Sequence, residues 1–524
     1  MIALSKPDWR LFLCLVVLGL IGTWVPLFDL DEGAFLEATR ELLDGGHWAA
    51  TTLDGEPRYD KPILSYWLQA SSLTLFGWLS PAIPIETIGR LPSVIAGALW
   101  AVILGRFSEE VTMKPGLGVF VALALATTLG TSIISRAATA DAILNLWLAL
   151  IFTDIARYIL NPSDSLRLKV FLWLSLGILT KGPVAVIIPA CTFGFWVLLS
   201  NQWSLFWNAI KSWGGWALMI ALLAPWLIGV YDAQGYAFFE NFILWHNVER
   251  FSGNLHGHGG HPLYYLLVMP LVLLPYCGLV IAILLRIREY WVCPINRFAL
   301  IWVAIVVLLV SSSGTQLPHY ILYSTAPLFV LYARVLPTLD SRLWALPGLF
   351  VPVSILGFGL FHHLLPEPNH LRDQEQLTML LHLMTEWRIP LAAASLGLLL
   401  VSLTALLVPK WQLSQRLLTL GCVQLACIAF IALPLISEAR QRPLKEAALI
   451  ARKAGADVVS QGVHMPSFSF YRGAITIEQA PTEGQWVLIS LTRFQELEAL
   501  DAAFRIKASG PGWRLIAPRE PFKI

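Results

Sequence analysis

Long apolar runs separated by short polar stretches dominate the chain as far as Ile436. A segment that crosses lipid must satisfy its own backbone hydrogen bonds, so each crossing is expected as a helix of about 20 apolar residues. Thirteen runs qualify: Leu11–Phe28, Ile85–Gly105, Gly116–Ser135, Ala142–Leu160, Val170–Thr180, Pro183–Leu199, Trp213–Tyr231, Pro262–Leu285, Phe298–Ser312, Leu317–Tyr332, Leu343–Phe361, Ile389–Val408 and Leu417–Ile436. Beyond Ile436 the pattern becomes that of a soluble domain. Leu444–Ala454 and Arg493–Leu500 read as helices, and Val458-Val459, Trp486–Leu491 and Trp513–Ala517 as strands. The pattern predicts an α-helical polytopic membrane module over 1–436 and a small α/β domain over 437–524, close to the lower size for independent folding.

Composition agrees. Of 524 residues, 56% are hydrophobic and 13% charged, against about 25% charged in soluble domains. The charged residues are too few to cover a globular surface, so lipid is the expected solvent. A net charge of +2 argues against a nucleic-acid partner. The 22 Trp and 13 Tyr suit two membrane interfaces. The 6 Cys lie mostly in apolar runs, without zinc spacing or a disulfide framework, and read as packing residues. The first run lacks a small-x-small cleavage site and reads as a retained span.

The basic residues give the orientation. With a cytoplasmic N-terminus, every inside loop is basic, from Arg106 and Lys114 through Arg157, Lys211, Arg286 and Arg334 to Lys410 and Arg416. An odd span count then sends the C-terminal domain outside. The polar stretches Asp29–Lys61, Ser135–Asp141, Thr180–Gly182, Asp232–His261 and Ser313–His319 then share the outer face.

Asp29–Lys61 is the most informative stretch. Asp31-Glu32 opens a helix with Phe35, Ala38 and Leu42 on one side, ended by Gly45-Gly46. A second interfacial segment, Lys61–Phe76, carries Tyr66 and Trp67. Taken alone, Asp31-Glu32 fits acids in a first helical turn, and Lys61 a snorkelling cation. Glu86 and Arg90, one turn apart, read as a structural pair. His256, His258 and His261 lie in a glycine-rich stretch within a flexible outer loop, 232–262. They fit either a segment that orders over substrate or a divalent-metal site built with His246 or the acids. The connection 362–388 is expected to hold a lateral helix.

The run Asp31-Glu32 … Glu37 … Arg40-Glu41-Leu42-Leu43 … Gly46-His47-Trp48 … Asp60-Lys61-Pro62 … Tyr66-Trp67 … Phe76-Gly77 resembles the first outer loop of the GT-C glycosyltransferases. The similarity is to the aminoarabinose (4-amino-4-deoxy-L-arabinose) lipid A transferases and their protein O-mannosyltransferase relatives. Arg136 … Asp141, Thr180-Lys181-Gly182, Phe238-Phe239 … His246 … Glu249-Arg250-Phe251 … His256, Tyr264-Tyr265, Leu274-Pro275 and Leu317-Pro318 … Tyr320 follow in order. Two positions depart from the aminoarabinose branch. Ala34 stands where that branch has an arginine, and Gly314-Thr315-Gln316 replaces a lysine-rich turn.

The resemblance implies a GT-C fold of about 13 spans and an inverting transfer from an undecaprenyl-phosphate-linked sugar. The acceptor would be a lipid A-like lipid, another envelope glycan or protein Ser/Thr. Such a transfer needs cations for the leaving phosphate, negative charge near the anomeric carbon and, for some acceptors, a base. Asp31, Asp141 and Glu32 are the candidate acids. Lys61, Lys181, Arg136 and Arg250 are the candidate phosphate ligands. Asp60, Tyr66, His246, His256 and Tyr320 would line the substrate cavity, with His246 and His256 the candidate metal ligands. A monomer is expected. A lipid-linked-sugar flippase is the rival class, but flippases place charge near the midplane and often show repeated halves.

Overall fold

Helix enters each of the thirteen apolar runs in the computed structural model, stopping at Leu20 in the first; the structure describes residues 6–242, 261–361, 371–499 and 504–518. Eight described helices are each long and apolar enough to cross a bilayer, or nine if one sharply bent pair forms a single span. Along the first half run α1 (Lys6–Leu20), α2 (Asp31–Leu43), α3 (Leu64–Phe76), α4 (Ile85–Thr112), α5 (Leu117–Thr127), α6 (Leu129–Ile134), α7 (Asp141–Leu160), α8 (Asp164–Lys181), α9 (Val184–Ser200), α10 (Trp203–Ile210) and α11 (Trp213–Phe239). The 28 residues of α4 reach about 42 Å at 1.5 Å per residue, enough to span a bilayer with its headgroups. The chain is a multi-pass membrane protein.

Two spans are broken, and the breaks face each other. Leu274-Pro275 separates Tyr264–Val272 from Cys277–Leu285 at 119°, because proline supplies no N–H to continue the helix. Thr128 separates α5 from α6. Carbonyls freed inside a bilayer need new donors. Gln424 Nε2 donates to both Thr127 O (3.1 Å) and Leu274 O (3.0 Å), and Leu129 N–H also donates to Leu274 O (2.9 Å).

The two ends of the bundle differ. At one end the ion pairs Arg157–Glu110 and Arg106–Asp8 gather, with Arg334 bonded to the Val111 carbonyl. At the other, α2, α3 and an antiparallel hairpin, β1 (Thr51–Leu53) and β2 (Glu56–Arg58), form a cap. The hairpin turns at Asp54-Gly55, both at positive φ, as a two-residue hairpin turn requires.

The C-terminal part is a mixed sheet ordered β3 (Val458–Gln461), β4 (Trp486–Ser490), β6 (Trp513–Pro518), β5 (Phe504–Gly510). β3 and β4 are parallel and the other pairs antiparallel. Helices Arg442–Lys453, Pro466–Arg472 and Leu491–Ala499 accompany it, and Leu371–Glu386 occupies the connection where a lateral helix was expected. Val459, Val487, Ile489, Phe494 and Ile516 form a core of the sheet's own, and a second core is shared with the membrane module. Leu444, Phe468, Leu488 and Trp513 pack in one cluster with Leu27, Leu36 and Ala138 of the membrane module. The opposite face of α2 sends Phe35, Ala38 and Leu42 against Tyr66, Trp226 and Phe238. Thus α2 is held between α11 and the C-terminal sheet.

Candidate functional site

Charged side chains from four separate segments meet at the capped end. In the first loop, the Asp60 carboxylate lies between Arg58 (Nε at 2.6 Å) and Lys61 (Nζ at 2.9 Å). Burial alone would raise the Asp60 carboxyl, but the Lys61 and Arg58 cations outweigh it and hold the group well below the usual carboxylate range. Burial lowers the Lys61 ammonium. Asp60 opposes that shift, and the neighbouring Lys181 and Arg58 add to it.

Lys181 ends α8 and Asp141 begins α7, and their charged atoms are 2.5 Å apart. His319 Nε2 stands 3.6 Å from the same Asp141 oxygen. Lys181 Nζ lies over the Tyr320 ring at 5.2 Å and the Tyr323 ring at 5.8 Å, a cation–π arrangement. Lys61 lies within electrostatic reach of both Asp141 and Lys181, so the two ion clusters form one site. Asp31, the first residue of α2, is exposed and in electrostatic reach of Arg58. Tyr66 is buried, stacked on Phe35 at 5.3 Å.

Of the sequence-derived candidates, Asp31, Asp60, Lys61, Tyr66, Asp141, Lys181 and Tyr320 are therefore neighbours in this end of the bundle. Glu32, expected as a catalytic acid, is committed elsewhere. Both of its oxygens pair with Arg90 (2.8 and 2.6 Å), and they accept the N–H groups of Ala138 (2.7 Å) and Phe28 (3.0 Å). Arg136, expected at the phosphate, donates instead to the carbonyls of Leu18, Ile21 and Ser132 at 2.6–2.8 Å. Those carbonyls lie at helix ends and need a donor. The Glu86–Arg90 pairing expected from spacing does not form. Arg90 takes Glu32, and Glu86 Oε1 takes Lys445 (2.6 Å) and Tyr471 (2.8 Å). Arg250, His246 and His256 lie outside the described residues.

Arg58 was not among the expected site residues. One signal for it was the Asp54-Gly55 turn, which brings Arg58 back beside α2. Among the described residues, one acidic trio has metal-ligand spacing: Glu37, Glu41 and Asp54, whose oxygens lie within 4.8 Å of one another. Each already has donors: Arg40 for Glu37, the Thr52 hydroxyl and Gly55 N–H for Glu41, and Ser469 for Asp54. Burial raises the Glu37 carboxyl to about 7 against the opposing Arg40. These observations identify no cofactor.

Residues 60–228 match the family model described as dolichyl-phosphate-mannose-protein mannosyltransferase. A protein named undecaprenyl phosphate-alpha-4-amino-4-deoxy-L-arabinose arabinosyl transferase, from Shewanella sediminis (strain HAW-EB3), is 27% identical over 348 residues. That match covers 65% of this chain but only 61% of the relative's length. Its namesake from Pseudomonas paraeruginosa (strain DSM 24068 / PA7) is 25% identical over 423 residues, 75% of this chain and 74% of that protein. The crystal structure of ArnT from Cupriavidus metallidurans bound to undecaprenyl phosphate superposes with a TM-score of 0.78 over 98% of both chains, at 17% identity. At that identity the likeness speaks for the fold alone. Taken together, these matches make the chain similar to the aminoarabinose transferases over most of its length and to the protein mannosyltransferase model over residues 60–228, in a fold shared with ArnT.

Proposed function

We propose that the chain is an inverting glycosyltransferase of the bacterial inner membrane. It moves a sugar from an undecaprenyl-phosphate-linked donor to a lipid A-like or other envelope acceptor on the periplasmic face. The observation that carries this reading is the pairing of two largely buried lysines, Lys61 and Lys181, with Asp60 and Asp141 at one end of a polytopic bundle. Cations fixed away from bulk water are worth most where phosphate charge develops.

In the proposed step, an acceptor oxygen attacks the anomeric carbon from the face opposite the phosphate. The carbon–oxygen bond to phosphate breaks, and its electron pair leaves on the polyprenyl phosphate beside Lys61 and Lys181. With a hydroxyl acceptor, Asp31 takes the proton. With a phosphate acceptor no proton need move, and Asp31 positions the donor. On the family resemblance Arg250 is assigned to the donor phosphate, and His246 and His256 to the substrate cavity. The basic residues at the uncapped end support a cytoplasmic N-terminus, with residues 437–524 forming a periplasmic domain. The chain acts as a monomer in this reading.

The family model over 60–228 favours a second reading, transfer to protein Ser/Thr. Reconstituted protein supplied with radiolabelled undecaprenyl-phosphate sugar separates the two. Label in lipid A supports the first and label in a Ser/Thr peptide the second. Translocation of the donor without transfer sinks both and leaves the flippase.

A further inference from the structure

Arg58 closes β2 and is tied on every side. Its guanidinium grips both Asp60 oxygens, Nε at 2.6 Å and Nη2 at 3.2 Å, and Nη1 donates to the Ala34 carbonyl on α2. The fork lies 5.2 Å from the Phe35 ring centroid and 5.8 Å from that of Tyr66, and the side chain is only 10% exposed. Asp60 is thus one carboxylate between two cations. Without Arg58, Asp60 and Lys61 would form a closed, neutral pair with little attraction for an anion.

We infer that Arg58 is a positioning residue that keeps Lys61 available to the donor phosphate by taking up the charge of Asp60. The inference rests on the proposed function, in which Lys61 meets that phosphate. Its logic is electrostatic. A buried cluster with one cation in excess is costly while empty, and an arriving phosphodiester, with one negative charge, relieves that cost. Arg58 acts through Asp60 and need not touch substrate. The Ala34 contact also fixes the hairpin to α2, so the same guanidinium sets the separation between Lys61 and Asp31.

The test is binding of undecaprenyl phosphate to the full chain in detergent, followed by tryptophan fluorescence, with turnover measured alongside. Arg58→Gln is expected to raise the Kd about tenfold, the scale of one lost charge interaction near a protein surface, with kcat within about threefold. The double variant Arg58→Gln/Asp60→Asn removes the charge that Arg58 balances and is expected to recover most of the affinity. A purely structural Arg58 would make the double variant bind no better than the single one, and that result overturns the inference. Arg58→Lys keeps the charge if the glutamine variant does not fold. Without the bidentate fork it should still bind more tightly than the roughly tenfold loss expected for a neutral side chain, and a loss of about tenfold or more there also overturns the inference. Wild-type binding with unchanged Arg58→Gln binding defeats this inference alone. Absence of wild-type binding defeats the functional reading and this inference with it.

Discussion

Ser467 and Asp29, 438 residues apart, share two hydrogen bonds: the Ser467 N–H donates to one Asp29 carboxylate oxygen at 3.0 Å, and its hydroxyl donates to the other. This contact joins the Pro466–Arg472 helix to the entry of α2. Burial raises the Asp29 carboxyl from 3.8 to about 7, with the Ser467 bonds opposing and Glu32 and Asp54 adding to the rise.

Because the folded chain holds that proton more tightly than the unfolded one, the stability contribution is fully present below the unfolded value. It is lost as pH rises through about 7. Wild-type Tm in detergent should fall between pH 5 and pH 8 relative to Asp29→Asn, which has no proton to lose. The difference should be on the order of a few kcal/mol at most, at about 1.4 kcal/mol per pH unit. Glu37, also raised to about 7, contributes in the same direction, and Glu37→Gln should remove its part of the slope. Parallel profiles for wild type and Asp29→Asn would refute the assignment.

A methyl group at Gly33 would run into the Asp29 carboxylate and the Ser467 backbone nitrogen, the latter at 2.7 Å. Gly33→Ala is therefore expected to part the two segments, costing about 1–3 kcal/mol. Limited proteolysis should cut the C-terminal domain faster in this variant than in wild type.

Neighbouring acids should separate by their surroundings. Glu32→Ala leaves Arg90, 2% exposed, without its carboxylate, a loss of about 3–5 kcal/mol for a broken buried pair. Asp31→Asn, at an exposed position, should keep Tm within about 2 °C. It should lower kcat/KM by about 100-fold if Asp31 acts as base. Thermal unfolding and turnover on the same preparations give both readings, and full activity in Asp31→Asn would remove it from the mechanism.

For Lys181 and Asp141 the two readings should come apart in one double variant. Lys181→Met alone strands a buried carboxylate and is expected to lower stability by about 3–5 kcal/mol and kcat/KM by at least about 100-fold. Adding Asp141→Asn should restore most of the Tm, since a neutral pair of similar shape replaces a buried ion pair at little cost. Turnover should stay low. Recovery of turnover with Tm would make the pair a strut rather than a phosphate site.

The spans were legible because lipid leaves the backbone few choices, and apolar length alone reports them. The helix at Asp31 and the strand at Trp486 announce themselves by periodicity. The β1–β2 hairpin went unread although Asp54-Gly55 between Thr52-Leu53 and Glu56 carries its turn signal. Its strands have only three residues each, too few to show alternation. The Glu86–Arg90 expectation failed for a different reason. Spacing on one helix says which residues share a face, but partners from the first loop and from Lys445, 359 residues away, competed for them. Motif order brought Asp31, Lys61, Asp141 and Lys181 to attention. It also drew in Glu32 and Arg136, whose actual partners, a buried guanidinium and helix-end carbonyls, leave no mark in the local sequence.

The shared core of Leu27, Leu36, Phe468 and Trp513 also sets an order of assembly. Most of the hydrophobic segments enter the bilayer while the ribosome is still elongating, yet the first loop lacks these packing partners until Leu444, Phe468 and Trp513 have been made. At about 5–20 residues per second, the 438-residue gap between Asp29 and Ser467 is a wait of roughly 20–90 s. During that interval the loop bearing Asp31 and Lys61 has a wet flank. Maturation of this region is thus timed by synthesis of the segment from Leu444 to Leu515 rather than by insertion of the spans around it.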